Sequence, residues 1–139
     1  MGAVTDDGDS FYFWTEETLT SEHGIRLLNA LQEKFGEELV VFLDRAGYFY
    51  NRDLWEHVSG ERTTETVEDS SVEHVRGKNL GVWYFPSKLP ELNAVESCWD
   101  RLQEWFKNRL VPDLSTLKDQ LQRGIVTVDE PNIWKFLCP

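Results

Sequence analysis

Two short apolar runs constrain this chain more than any other feature. Leu39-Val40-Val41-Phe42-Leu43 and Leu80-Gly81-Val82-Trp83-Tyr84-Phe85 contain no charged residue and no polar alternation. A strand with one wet face alternates. An unbroken run of five or six apolar residues predicts a strand buried on both faces, as in a parallel sheet. Asp44 follows the first run directly, and Pro86 closes the second. In open α/β sheets the C-terminal ends of the strands are where ligands and chemistry collect.

The remaining segments supply helices and turns around these strands. Gly2-Ala3-Val4 and the aromatic Ser10–Trp14 flank Asp6-Asp7-Gly8-Asp9, a turn sequence of the Asp-Gly kind, so residues 1–17 predict a hairpin. Thr20 or Ser21 caps a helix whose stripe is Ile25, Leu27, Leu28, Leu31 and Phe35, ended by Gly36. Arg52–Val58 fits a short helix. Residues 59–79 are rich in Thr, Ser and acids and read as a surface loop or insertion. Pro90-Glu91-Leu92-Asn93 is a turn into a helix with Asn93 at its cap and a stripe of Val95, Trp99, Leu102 and Phe106. Pro112 ends it, and Asp113 caps a last helix that Gly124 closes. Strand, helix, strand, helix in this order is α/β, with the opening hairpin adding an antiparallel pair to an otherwise parallel sheet. One domain spans 1–139.

Composition excludes several classes. Cys98 and Cys138 make neither a disulfide framework nor a four-ligand zinc site, no run approaches the 20 apolar residues of a membrane span, and no secretory signal opens the chain. The expectation is a cytoplasmic protein with no membrane partner. Twenty-five acids against fourteen bases give a net charge of −11, and by itself that opposes nucleic-acid binding. The acid is uneven: residues 1–75 hold 17 acids and 5 bases, residues 76–139 hold 8 and 9. It reads either as a solubility device or as adaptation to high salt, where screening confines repulsion to short range.

Among groups able to do chemistry, Asp44 and Glu96 lead. One sits at a strand end, the other in the first turn of a helix just after the second strand. Parallel neighbouring strands place both on one edge of the sheet, where carboxylates bind Mg²⁺. The plain alternative is that Asp44 begins a turn and Glu96 favours the helix dipole. His23, His57 and His74 share no ligand spacing and read as surface histidines. Cys98 beside Trp99 reads as packing. Arg101, Lys107, Arg109, Lys118 and Arg123 spread over the last two helices, as a solvated face or as phosphate contacts.

One stretch resembles a known family. Pro86-x-x-Leu89-Pro90-Glu91-Leu92-Asn93-Ala94-Val95-Glu96-x-x-Trp99 is similar to the signature around the last catalytic Glu of DDE transposases, in the insertion-sequence branch related to mariner elements. Val40-Val41-Phe42-Leu43-Asp44-x-Ala46 resembles the strand carrying the second catalytic Asp, and the opening hairpin resembles the strands between the first and second acids. The resemblance implies a ribonuclease H-like mixed sheet flanked by helices, and cutting and joining of transposon-end DNA with two Mg²⁺ or Mn²⁺ ions. It implies Asp44 and Glu96 as catalytic, metal-binding acids and Pro90, Asn93 and Trp99 as structural motif residues; of the basic residues on the last two helices, Arg101, Lys107 and Arg109 are the expected DNA contacts. The chain departs from the pattern in three places. The first, central strand and its Asp are missing, so the fragment is expected to be N-terminally truncated and inactive alone. Arg45 and Phe49 stand where Asn and His are usual. Residues 59–79 lengthen the gap between the two acids. The acidic surface resembles versions from salt-loving archaea. Three readings result: a transposase catalytic fragment; a dead remnant that binds DNA or full-length transposase, with self-association through its open sheet edge; and an unrelated acidic domain with a chance motif.

Overall fold

The computed structural model describes residues 1–67, 70–86, 93–107, 109 and 112–127. The strands are β1 (Gly2–Val4), β2 (Ser10–Tyr12), β3 (Leu39–Leu43), β4 (Thr63–Val67), β5 (Ser70–Arg76) and β6 (Leu80–Tyr84). The helices are α1 (Ser21–Phe35), α2 (Arg52–Val58), α3 (Ala94–Phe106) and α4 (Leu114–Thr127). The class is mixed α/β. The chain divides into two compact units, Met1 with Phe11–Asn93, and Gly2–Ser10 with Ala94–Pro139.

The first unit is built on a four-stranded sheet of order β3-β6-β5-β4. β3 and β6 run parallel, with Leu39 opposite Leu80 and Leu43 opposite Tyr84. β5 is antiparallel to both β6 and β4. Two expectations are corrected here. The hairpin β1-β2 does not extend this sheet but forms a two-stranded sheet of its own. The antiparallel part comes instead from residues 59–79, which form β4 and β5 rather than a loop. Their polarity misled because Thr63–Thr66 lie exposed at the far edge, where a strand of Thr and Glu needs no apolar face. β-branched Thr and Val still favour extended backbone there.

One face of the sheet carries the core of this unit. Leu43, Val75, Leu80, Val82 and Tyr84 are buried with Leu27, Leu28 and Leu31 of α1, Leu54 of α2, and Phe49. Full burial of a Leu or Val side chain contributes on the order of 1.5–3 kcal/mol. On the opposite face Val40 is 63% and Phe42 54% exposed, while His74 is buried. The two apolar runs therefore do not make strands buried on both sides.

The helices start where their caps dictate. In α1, His23 takes the place usually held by Glu or Gln in a capping box. Its Nδ1 accepts the Thr20 N–H at 3.3 Å. His23 is buried, against the expectation of a surface position, because that role draws the ring under Phe13. α2 begins at Asn51, whose Oδ1 accepts the Leu54 N–H at 2.9 Å. Gly24 lets α1 approach the chain at Tyr48: a Cβ there would lie 2.2 Å from the Tyr48 carbonyl oxygen.

In the second unit α3 packs on α4 and on β1. Val95, Cys98 and Leu102 are its buried stripe. Asp113 caps α4, Oδ1 accepting the Thr116 N–H at 2.7 Å. That bond holds its carboxyl below the usual carboxylate range. Gly124 does not close α4, which runs on to Thr127. Its missing side chain serves packing: a Cβ would meet Trp105 Cε3 at 2.8 Å and Leu102 Cδ1 at 3.0 Å.

Candidate active site

Asp44 follows the last residue of β3, a half-buried position at the C-terminal end of the parallel pair. Its Oδ1 accepts the Ala46 N–H at 2.8 Å, the bond of an Asx turn that fixes the carboxylate as the chain leaves the sheet. The turn reading of Asp44 is thus correct locally, and it leaves Oδ2 outside that bond.

A polar and aromatic cluster surrounds this exit, and it was legible only in part from sequence. Arg45 Nε donates to the Phe85 carbonyl at 3.1 Å, so the residue after Asp44 is tied to the residue after β6. Arg45 Nη1 lies 3.8 Å from Glu73 Oε1, and Arg62 Nη1 lies 3.5 Å from Glu73 Oε2. Tyr50 Oη donates to Glu73 Oε2 at 2.5 Å and accepts from Arg62. Burial first, then the bond to Glu73, pushes the Tyr50 hydroxyl up. Tyr84 Oη donates to the Phe49 carbonyl at 2.6 Å and accepts the Trp55 indole N–H at 3.0 Å. Burial pushes its pKa up to about 12. Glu73 was missed because its segment reads as a loop. A carboxylate at 16% side-chain exposure between two guanidiniums is visible only once β5 is paired in register, with Glu73 opposite Tyr84.

Glu96 sits in the first turn of α3, half-buried. It belongs to the second unit, Asp44 to the first. Asn93 immediately precedes α3 and Trp99 lies on it, half-buried. Pro90 lies outside the described residues. Arg101, Lys107 and Arg109 are exposed at or just beyond the C-terminal half of α3. Lys107 pairs with Glu104 at 3.5 Å. Arg109 lies over the Trp105 ring at 3.8 Å and donates to the Trp105 carbonyl. Arg123 pairs with Asp119 at 3.1 Å.

His74 is also buried, not on the surface. It stacks on Trp83 at 4.3 Å, with Glu65 Oε1 2.8 Å from Nε2. That close approach has charge-pair distance but not hydrogen-bond direction, and neither ring nitrogen makes a hydrogen bond. Among the described residues, no three or more His, Cys, Asp or Glu side chains form a group that could hold a metal ion. Among the same residues, no helix is long and apolar enough to cross a membrane.

No curated protein and no solved structure matches this chain. A family model does. The DDE superfamily endonuclease model matches residues 1–118, a span that takes in both sheets, the strand end at Asp44 and the helix start at Glu96. With the greater part of its length inside that match, the chain belongs to the DDE superfamily endonucleases.

Proposed function

We propose that this chain is catalytic-domain material of a DDE transposase of the mariner-related insertion-sequence branch, with a ribonuclease H-like fold. Its parent activity is metal-dependent cleavage and transfer of DNA strands at transposon ends. The observation that carries this reading is the family match across both acids, with Asp44 at the end of β3 beside its parallel partner β6. In this reading Asp44 is the second carboxylate of the catalytic set and Glu96 the third.

The donor chemistry suits Mg²⁺ or Mn²⁺, hard cations that take carboxylate oxygens, with Asp44 Oδ2 the free oxygen of its pair. Two such ions, when bound, supply charge stabilisation to the attacking and leaving oxygens of a phosphodiester. The protein's own share is positional. The Asx turn fixes Asp44, and Arg45, anchored on Phe85 and Glu73, fixes the backbone that carries it. Arg101, Lys107 and Arg109 take DNA phosphates. Pro90, Asn93 and Trp99 shape the entry to α3. The acidic surface belongs to a salt-adapted protein, and the open edge of β3 supports self-association or pairing with a full-length transposase.

A second reading is favoured by one observation, the lack of a three-carboxylate group among the described residues. It makes the chain a dead remnant that binds DNA or transposase without metal. Nicking of supercoiled plasmid with Mn²⁺ or Mg²⁺ separates the two. Little or no nicking is expected of this chain alone, and on the catalytic reading whatever metal-dependent nicking it shows is abolished by Asp44→Asn and by Glu96→Gln. Nicking that survives Glu96→Gln removes the assigned site.

A further inference from the structure

The face of the four-stranded sheet that bears Val40 and Phe42 carries an ordered arrangement of side chains, exposed at these two residues and buried at His74. Residues paired in register share a face, so two rows cross the sheet. One is Val40, Gly81 and Arg76; the other is Phe42, Trp83 and His74. The second row is aromatic throughout. The first has an aliphatic side chain at one end, a cation at the other and nothing between them. Two strand spacings separate Val40 from Arg76, about 10 Å. Gly81 thus floors a groove, an open space of about 790 Å³ that the β5–β6 turn borders with Lys78 and Asn79.

The charge of this groove runs against that of the chain. In a protein with eleven more acids than bases, cations are expected to be claimed by carboxylates. Arg45 and Arg62 meet Glu73, Arg52 meets Glu56, Lys107 meets Glu104 and Arg123 meets Asp119. Among the described residues Arg76 and Lys78, like Arg26, Lys34 and Arg109, make no ion pair, and both line the groove and are exposed. Arg76 instead lies over the Trp83 ring, 4.9 Å from its centroid. The one acid on the rim is Glu38. The groove therefore offers aromatic and aliphatic surface at its floor and unclaimed positive charge at one end.

A nucleotide with a free base has the complementary form, a flat apolar face joined to an anion. Sheet faces bearing aromatic side chains bind unpaired strands in this way, by stacking bases and holding phosphates with Lys and Arg. A duplex hides its base faces and would meet only the two cations. We propose that this face binds unpaired nucleotides of a single DNA strand. The base lies in the Gly81 gap against Phe42 and Trp83, and the phosphates lie at Arg76 and Lys78. The proposal rests on the reading that DNA is the substrate, and it assigns a site at the start of β3 and β6, away from Asp44 at the strand end.

The test is fluorescence anisotropy of the full chain with a short labelled oligothymidylate, in EDTA so that no cleavage step enters. The single strand is expected to bind more tightly than its duplex with oligoadenylate. The slope of log K against log salt is expected near −1.4, about 0.7 for each of two phosphates on a single strand. Arg76→Glu with Lys78→Glu is expected to weaken binding at least tenfold. Gly81→Leu fills the groove without a clash, since a Cβ there meets Val40 and Trp83 no closer than 3.9 Å, and is expected to weaken it about fivefold. Circular dichroism melts establish that both variants fold. The proposal is overturned if the oligonucleotide does not bind, if neither variant changes its affinity, or if poly-glutamate displaces it as well as unlabelled oligothymidylate does. That last outcome would make the face a site for acidic polypeptide. Binding that persists in Asp44→Asn and Glu96→Gln keeps this site whatever becomes of the catalytic reading; metal-dependent nicking without this binding overturns this site and leaves that reading standing.

Discussion

At Gly24 a single methyl group decides whether α1 seats. Alanine is the better helix former by about 1 kcal/mol. Here its Cβ would stand 2.2 Å from a backbone oxygen, Tyr48 O, which cannot swing aside as a side chain can. Overpacking of this kind costs about 1–3 kcal/mol, and more where backbone must move. Gly24→Ala is therefore expected to lose at least 1 kcal/mol net in a urea titration. Tyr84 makes a pH-dependent counterpart. Its pKa is pushed from 10.0 to about 12 by burial, so the fold favours the neutral phenol. That stability is fully present below pH 10 and is lost as pH rises through about 12. Tyr84→Phe is expected to be less stable at pH 7, because the Phe49 carbonyl and Trp55 N–H lose their partner. It should also show a shallower alkaline loss than the parent; equal slopes in paired denaturation series between pH 9 and 12 would count against this.

Among the elements, α2 depends on its cap because it has only seven residues. Asn51→Ala, which strands the Leu54 N–H, is expected to cost about 1 kcal/mol by denaturant unfolding. This cap was not read from the sequence, although Asn before Arg-Asp-Leu is a plain signal. The long stripes were read well: Leu27, Leu28 and Leu31 in α1 and Val95 and Leu102 in α3 are buried as their spacing predicts. The strands at Leu39 and Leu80 were read as strands and as parallel neighbours, which the register bears out. Their burial was misjudged because an apolar run records what the residues tolerate, not which faces are covered. β4 and β5 were unreadable for the opposite reason, since strands at a wet edge carry loop-like composition. Of the candidate residues, Asp44 and Glu96 were singled out by position, while the contacts of Glu73 and Arg62 join distant segments and could not be read from spacing. The outer edge of β3 yields its own test. Leu39–Leu43 contains no Pro, Lys or bulge to deter a second strand. The chain is expected to gain mass with concentration in light scattering after size exclusion, and Val40→Lys is expected to hold it monomeric.

For the molecule as a whole, charge is the largest uncompensated quantity. Eleven excess acids repel one another in the folded state more than in the expanded one. Raising salt from 0.1 to 1 M shortens the screening length from about 10 to about 3 Å. The melting temperature is expected to rise by about 4 °C for each kcal/mol of repulsion removed. A flat profile in KCl would place the acids in compensating pairs instead.

The pairing of β3 with β6 also sets an order in time. Leu39 finds its partner Leu80 forty-one residues further along the chain. At translation rates of 5–20 residues per second, the apolar strand waits about 2–8 s after its synthesis before its only ladder exists. Among the described residues no strand pairs with its other edge. During that interval a nascent chain presents these five residues with the edge that β6 will take still unpaired.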